Sequence, residues 1–254
     1  MLLRRFTKHV SDQNWFAVGL DVVVVIVGIF LGLQISDWKS KQDDAVLEQQ
    51  YIKRLTSDMR TQIEQMGART NYFIVSHADN ELTVRWVTDP DSTSETPARI
   101  VSAFYNSSMI YPFDLFNITY QELLSTGNIN ILRDIKLREL LATYYYDTEP
   151  LIIAWNIDAN NPYRNVVRSI IPADIQAKIV EACEPADGNT LSLISDCAAE
   201  ILPDNSADIL NEISSIIDIK RTSILNLSKL TIALRLYKNN TDTAKIVLDY
   251  LESR

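Results

Sequence analysis

Three carboxylates, Asp204, Asp208 and Glu212, recur every four residues, and on a helix they would line one face as a row able to hold a cation. A di-metal site in a helical bundle also asks for a His three residues after a Glu, and the chain has no such pair. The row reads better as acids gathered at a helix start, where the macrodipole favours negative charge. Asp43, Asp44 and Glu48 read likewise as a solvated face. His77 is the one histidine beyond the N-terminal tail, and acid–base chemistry needs a partner placed with it, so a structural role is expected. No serine sits in a Gly-x-Ser-x-Gly turn. Arg164 and Arg168, one turn apart, could face an anion or form an ordinary surface pair. No catalytic residue, metal site or cofactor is expected.

Two other groups are candidates for structure or docking. Cys183 and Cys197 flank a stretch, EPADGNTLSLISD, whose Pro and Gly could fold it back and let the sulfurs meet. A disulfide and two buried thiols are both admissible readings. Tyr111, Phe113, Phe116 and Tyr120 crowd aromatics between two helices. Exposed, they form a partner lip; buried, they plug the bundle, the reading that aromatic area favours. Tyr144, Tyr145 and Tyr146 cannot all face inward on one helix.

The elements that must position these groups follow from composition and pattern. The 254 residues make one large or two small domains, and 24 basic against 33 acidic side chains give a net charge of -9, which speaks against nucleic acid as a partner. With 46% apolar residues, 6 Gly and 8 Pro, the chain is neither collagen-like nor low-complexity, and long helices can run uninterrupted. An all-α fold is expected.

Residues 1–14 form a basic tail with Arg4, Arg5 and Lys8, and residues 15–38 read as a transmembrane helix. The apolar run is unbroken from Val22 to Leu33 and reaches from Phe16 to Ile35 if Asp21 and Gln34 are tolerated. Twenty residues at about 1.5 Å each span roughly 30 Å, the thickness of bilayer hydrocarbon. Trp15 and Trp38 stand where an interfacial belt belongs. A cleavable signal is the competing reading, but the sequence after Leu33, QISDW, is bulky and charged instead of small. Three basic residues precede the span and Lys39, Lys41, Lys53 and Arg54 follow it, so charge counting alone does not orient it. A disulfide would need an oxidising compartment, and the expected topology has the N-terminus in the cytoplasm and the C-terminal domain in the periplasm.

Three of the six glycines fall in this window, and Gly28-x3-Gly32-x3-Ser36 is a small-residue stripe of the kind that lets two helices approach closely in lipid. A homo-oligomer is expected. Asp21 lies close to the same line on the helix. It either points into a helix bundle, where copies could share protons, or sits at the boundary within reach of water, the milder reading. Gln34 points to the opposite side, near the other boundary, and is expected to be solvated.

Residues 39–88 predict one long amphipathic stalk helix, with Leu47, Tyr51, Leu55, Met59 and Ile63 every four residues. A strict four-residue stripe drifts around a helix, which suits a packed bundle better than a coiled-coil seam. TDPDSTSETP, 88 to 97, ends it in a polar loop. Residues 98–254 predict a helical bundle domain packing on the stalk: helices at 98–107, after Thr119, Arg133–Tyr146, 150–170, 172–183, Ser206–Tyr237 and from Thr241. Thr119-Tyr120-Gln121-Glu122 reads as a capping box, Gly127 as a helix stop, and Lys238-Asn239-Asn240-Thr241 as a break.

Taken together, Arg4-Arg5, Gln13-Asn14-Trp15-Phe16-Ala17-Val18, Leu20-Asp21, the valine run, Gly28-Ile29-Phe30-Leu31-Gly32-Leu33-Gln34-Ile35 and Trp38 resemble the N-terminus of a widespread family of bacterial single-span membrane proteins of unknown function. Tyr51-x3-Leu55-x2-Asp58, Thr119-x2-Glu122-Leu123-x2-Thr126-Gly127-x3-Ile131, Leu137-Arg138 and Tyr144-Tyr145 carry the resemblance into the middle of the chain. Asp37 and Lys39 beside Trp38 depart from it, since members often carry Asn there. The resemblance implies a bacterial inner-membrane protein and no particular activity.

The functional expectation is a membrane-anchored sensor, scaffold or partner-binding protein of the bacterial envelope, associating through its span and touching lipid and an envelope protein. The alternative is a proton-coupled energy-transducing subunit that uses Asp21. A hydrolase with an unrecognised site stands last.

Overall fold

The computed structural model describes the backbone of residues 15–111, 115–157, 161–187, 190–197 and 206–254, with side chains for all of these except 15–18, 21, 150–157, 186–187 and 190–191. Among the described residues there are eight α-helices: α1 Trp15–Thr88, α2 Pro97–Ser107, α3 Ile118–Ser125, α4 Ile135–Ile157, α5 Pro162–Ile170, α6 Ala173–Cys183, α7 Ser206–Ser214 and α8 Ile219–Glu252. Two short 3-10 helices, Pro90–Ser92 and Asn128–Ile131, and a two-residue antiparallel ladder, β1 Ala186–Asp187 with β2 Thr190–Leu191, lie between them. The fold is all-α, a long N-terminal helix packed with others. The chain divides into two compact units, Met1–Tyr51 and Ile52–Arg254, and the division falls inside α1.

In the first unit, α1 is apolar from Val22 to Leu33, and the large side chains there are about half exposed or more. This one helix near the N-terminus is long and apolar enough to cross a membrane, and none of its apolar window is buried by protein. In water such a run would cost about 25 cal/mol for each Å² of apolar surface left uncovered, so it calls for an apolar surrounding.

In the second unit, the buried seam of α1 follows Leu55, Met59, Gln62, Met66, Arg69, Phe73, Ser76, Asn80 and Thr83, at alternating steps of four and three. That is the seven-residue repeat of helices packed side by side, and it replaces the drifting four-residue stripe expected from the apolar residues alone. Ile63 is only half-buried because the seam turns to Gln62 instead.

α8 answers with the same period, burying Asn226, Leu230, Ala233, Tyr237, Ala244, Val247 and Leu251. Arg60 meets Glu252, Phe73 stacks on Tyr237, His77 meets Thr231 and Asn80 meets Asn226, so the two helices run antiparallel. This seam also explains why no break occurs at Lys238-Asn239-Asn240-Thr241. Buried residues on both sides hold the helix through two poor helix formers, and Thr241 turns its hydroxyl back to the Tyr237 carbonyl at 2.7 Å.

Around this pair, α4 and α5 pack on α8, and α2 packs on α5, α6 and α7. Local chemistry sets most of their ends. Thr96 caps α2 by accepting from the Arg99 amide at 3.2 Å, with Pro97 at the first position. Asn161 does the same for α5 ahead of Pro162. Gly127 closes α3 in the left-handed region, φ 73°, as expected for a helix stop.

Other expectations need correction too: the stretch Ser206–Tyr237 is not one helix but divides between Ser214 and Ile219, and the helix expected over 150–170 is not one element, since α5 begins at Pro162. Thr119 and Glu122 form no capping box: Asn117 precedes α3, the Thr119 amide donates to Asp58 Oδ2 of α1 at 3.1 Å, and Glu122 pairs with Arg54. Tertiary partners outbid the local motif. The break between Tyr146 and residue 150 is also absent, since α4 continues through Pro150 to Ile157.

Candidate functional site

The polar residues on the α1 seam converge with α2 into a buried knot. Asp79 is fully buried, and its carboxylate pairs with the Arg99 guanidinium. It also accepts from Asn106 Nδ2 at 2.9 Å and from the Ser195 hydroxyl at 2.6 Å. Arg99 in turn donates to Ser195 Oγ at 2.7 Å and lies 2.7 Å from Asp196 Oδ1. Burial pushes the Asp79 carboxyl above its ordinary value, while the Arg99 charge and the bonds from Ser195 and Asn106 pull it back.

Ser195 and Asp196 reach the knot because Cys183 and Cys197 are joined in a disulfide, Cα atoms 5.1 Å apart, which folds their segment against α2. The Ile194 amide closes the same loop onto the Cys183 carbonyl at 2.9 Å, and the Ile194 carbonyl accepts from Asn106 Nδ2 at 3.3 Å. From the next residue of α1, Asn80, a chain of amides and hydroxyls ties four helices. Asn226 donates to Asn80 Oδ1 and to the Ser107 carbonyl, each at 2.8 Å, and accepts from Asn161 at 2.7 Å. Ser107 Oγ and Tyr163 Oη share a hydrogen bond of 2.6 Å. Groups satisfied in this way fix one register of helix against helix.

At the other end of α2, cations meet aromatics. Arg164 Nη1 donates to the Ser108 carbonyl at 2.6 Å and Arg168 Nε to the Ser108 hydroxyl at 2.8 Å. Arg168 lies over the Tyr105 ring, 3.4 Å from its centroid, and burial lowers its pKa to about 10. Tyr72 donates to Glu184 at 2.9 Å and packs edge-on against Tyr111. Burial raises the Glu184 carboxyl, and the Tyr72 bond with the Arg168 and Arg164 charges opposes the shift.

A carboxyl with a raised folded-state pKa adds stability that is full below the ordinary carboxylate range and lost as pH rises through the shifted value. Glu184 acts in this direction, whereas protonating Asp79 would leave the buried Arg99 charge without its partner. The melting temperature is therefore expected to rise as pH falls from 7 to 5, with a smaller rise in Glu184→Gln, measured by thermal scans at fixed ionic strength. Parallel profiles for variant and wild type would remove Glu184 as the cause.

The residues singled out by sequence fall into three groups. Tyr111 and Tyr120 are buried and Phe116 is half-buried, so these members act as the plug and not as a free lip, while Phe113 lies outside the described residues. Tyr120 stacks on Tyr145, and Tyr144 is buried beside it, whereas Tyr146 is 79% exposed. Gly28, Gly32, Gln34 and Ser36 are all exposed on α1. No atom beyond their own helix neighbourhood comes within 4 Å of a Cβ built at Gly28 or Gly32.

Asp21 has helical backbone, but its side chain lies outside the described residues, as does Asp204 entirely; Asp208 and Glu212 are exposed. Among the described residues no three His, Cys, Asp or Glu side chains gather as a metal site. Asp79, Arg99, Asn106 and Ser195 were not legible as a group. Asp79 lies beside the seven-step seam of α1, Arg99 and Asn106 come from α2, and Ser195 from the loop closed by Cys197, so no single periodic pattern joins them.

Comparison with known proteins finds no family model, no curated protein and no solved structure that matches the chain.

Proposed function

We propose that this chain is a single-pass membrane protein of the bacterial inner membrane, whose helical bundle, on the periplasmic side, binds a partner or ligand. The observation that carries the reading is the run Val22–Leu33: fully helical, apolar and, among the described residues, uncovered by any other part of the protein. A bilayer is the surrounding that such a surface needs. The Cys183–Cys197 bond supports the periplasmic side, because disulfides persist in oxidising compartments.

A C-terminal topology reporter combined with alkaline extraction tests the reading. The full chain is expected in the extracted membrane pellet, with a reporter active only in the periplasm. Release without detergent, or a reporter active in the cytoplasm, would overturn it. Co-isolation from detergent extracts should retain an envelope partner in Asp21→Asn; loss of function in that variant with intact insertion would favour the proton-coupled alternative.

The same reading includes self-association through Gly28, Gly32 and Ser36. Replacing Gly28 and Gly32 by Leu puts bulk where two backbones would approach, and dimer signal in a membrane two-hybrid assay is expected to fall severalfold. An unchanged signal would exclude this face.

A further inference from the structure

The stretch Ser192–Cys197 is fastened to the buried Asp79–Arg99 pair as a strap, and its fastenings are mostly polar. Leu193 is its only buried residue, while Ile194 is 45% exposed and the Asp196 side chain 83% exposed. Within the loop, the Ser192 amide donates to the Pro185 carbonyl at 3.1 Å and the Ile194 amide to the Cys183 carbonyl at 2.9 Å. Toward the helices, the strap offers Ser195 and Asp196 to the charged pair and the Ile194 carbonyl to Asn106.

The pair beneath the strap is incompletely served. Among the described residues, Arg99 Nη1 and Asn106 Oδ1 are buried without a hydrogen-bond partner. Unpaired polar atoms and a desolvated ion pair both raise the free energy of the closed arrangement, and hydration would relieve both. The covalent tie at the ends of the loop opposes that relief. The helices below are joined by residues outside the loop, through the Asn226 bonds to Asn80 and Ser107 and the Phe73–Tyr237 stack, so the strap can lift without parting them. The two sulfurs also differ in access: Cys183 has no exposed surface and Cys197 is part-exposed, so a thiolate from solution meets Cys197 first.

We propose that the Cys183–Cys197 bond is a redox latch, whose exchange with a dithiol frees the strap from α2 and opens the Asp79–Arg99 pair to solvent while the helices stay packed. A thiolate of the dithiol attacks the Cys197 sulfur, the S–S bond breaks, and the Cys183 sulfur leaves as a thiolate that takes up a proton. The second thiol of the dithiol, losing its proton, attacks the mixed disulfide and releases Cys197, which is protonated in turn. Two electrons pass to the protein: its disulfide is reduced to two thiols and the dithiol is oxidised to a disulfide. All of these residues belong to the Ile52–Arg254 unit, so the inference adds a regulated opening of the bundle and does not depend on the side of the membrane that carries it.

The test uses the full chain in a neutral detergent, with dithiothreitol as the dithiol. Once thiol counting shows the bond cut, amide hydrogen exchange at Ser192 and Ile194 and phenylglyoxal labelling of Arg99, mapped by mass spectrometry, are each expected to rise about tenfold or more, with helix content by circular dichroism unchanged. Oxidised glutathione should remake the bond and restore the slow values. Cys183→Ser/Cys197→Ser is expected to show the open values with or without dithiothreitol, which separates the latch from other actions of the reductant. A bond that dithiothreitol leaves intact in the folded chain, a strap and Arg99 still protected after the bond is cut, or helix content lost along with it would each overturn the proposal. The topology reporter reads out independently of all three.

Discussion

Replacing Asp79 by Ala is expected to lower the unfolding free energy by about 3–5 kcal/mol, because it strands the Arg99 guanidinium in the core. Asp79 has no exposed surface and Arg99 is 7% exposed, so water cannot take the carboxylate's place without the helices parting. The loss also reaches Asn106 and Ser195, which both donate to the missing oxygens. The double variant Asp79→Leu with Arg99→Met should lose less than Asp79→Ala alone, since it removes both charges and leaves apolar volume. Denaturant titration of the full chain in detergent, followed by circular dichroism, measures all three. A single-variant loss under 1 kcal/mol would mean that the pair is solvated and not a core element; a double variant worse than the single would mean that Arg99 is held chiefly by Asp196 and Ser195.

The fold class was legible because few Gly and Pro interrupt the long apolar-periodic stretches, and α1, α2 and α6 follow their expected bounds closely. Two of the elements that differed did so because tertiary burial overruled a local signal, while the stretch Ser206–Tyr237 divides between Ser214 and Ile219. Thr119 and Glu122 have the spacing of a capping box, yet Asp58 and Arg54 of α1 claim their amide and carboxylate. Asn239-Asn240 has the composition of a break, yet Tyr237 on one side and Ala244 on the other belong to a single buried seam. Pro150 lies inside α4 although proline disfavours helix interiors by about 3 kcal/mol.

The candidate sites divided along another line. Exposed features that depend only on the local chain, such as the apolar run and the glycine stripe, could be read directly. The polar knot could not, since Asp79, Arg99 and Ser195 are far apart in sequence and each by itself looks like a surface residue. Only the burial of Asp79 and Arg99, and the bonds that Ser195 makes with both, distinguish them. Arg164 and Arg168 were visible as a pair, but the shared anchor at Ser108 that orients them was not.

Breaking the Cys183–Cys197 bond is the second large expected effect. Fourteen positions separate the cysteines, and closing a loop of about 15 residues in the unfolded chain is worth about 3 kcal/mol on the chain-entropy account. The folded state adds a consequence specific to this molecule. The loop carries Ser195 and Asp196, so its release removes one partner of Asp79 and two of Arg99 together. Reduction should therefore lower the denaturation midpoint and also erase most of the destabilisation caused by Ser195→Ala, because a loosened loop no longer delivers that hydroxyl. Groups that share one network are non-additive in this way. Denaturation of wild type, Ser195→Ala, the Cys183→Ser/Cys197→Ser variant and the combined variant closes the cycle, with reductant acting on wild type and leaving the cysteine-free chains unmoved. Strict additivity would show that the loop stays seated without its bond, and then the hydrogen bonds at Asp79 would be what holds the loop, the disulfide being only a restraint on the unfolded chain.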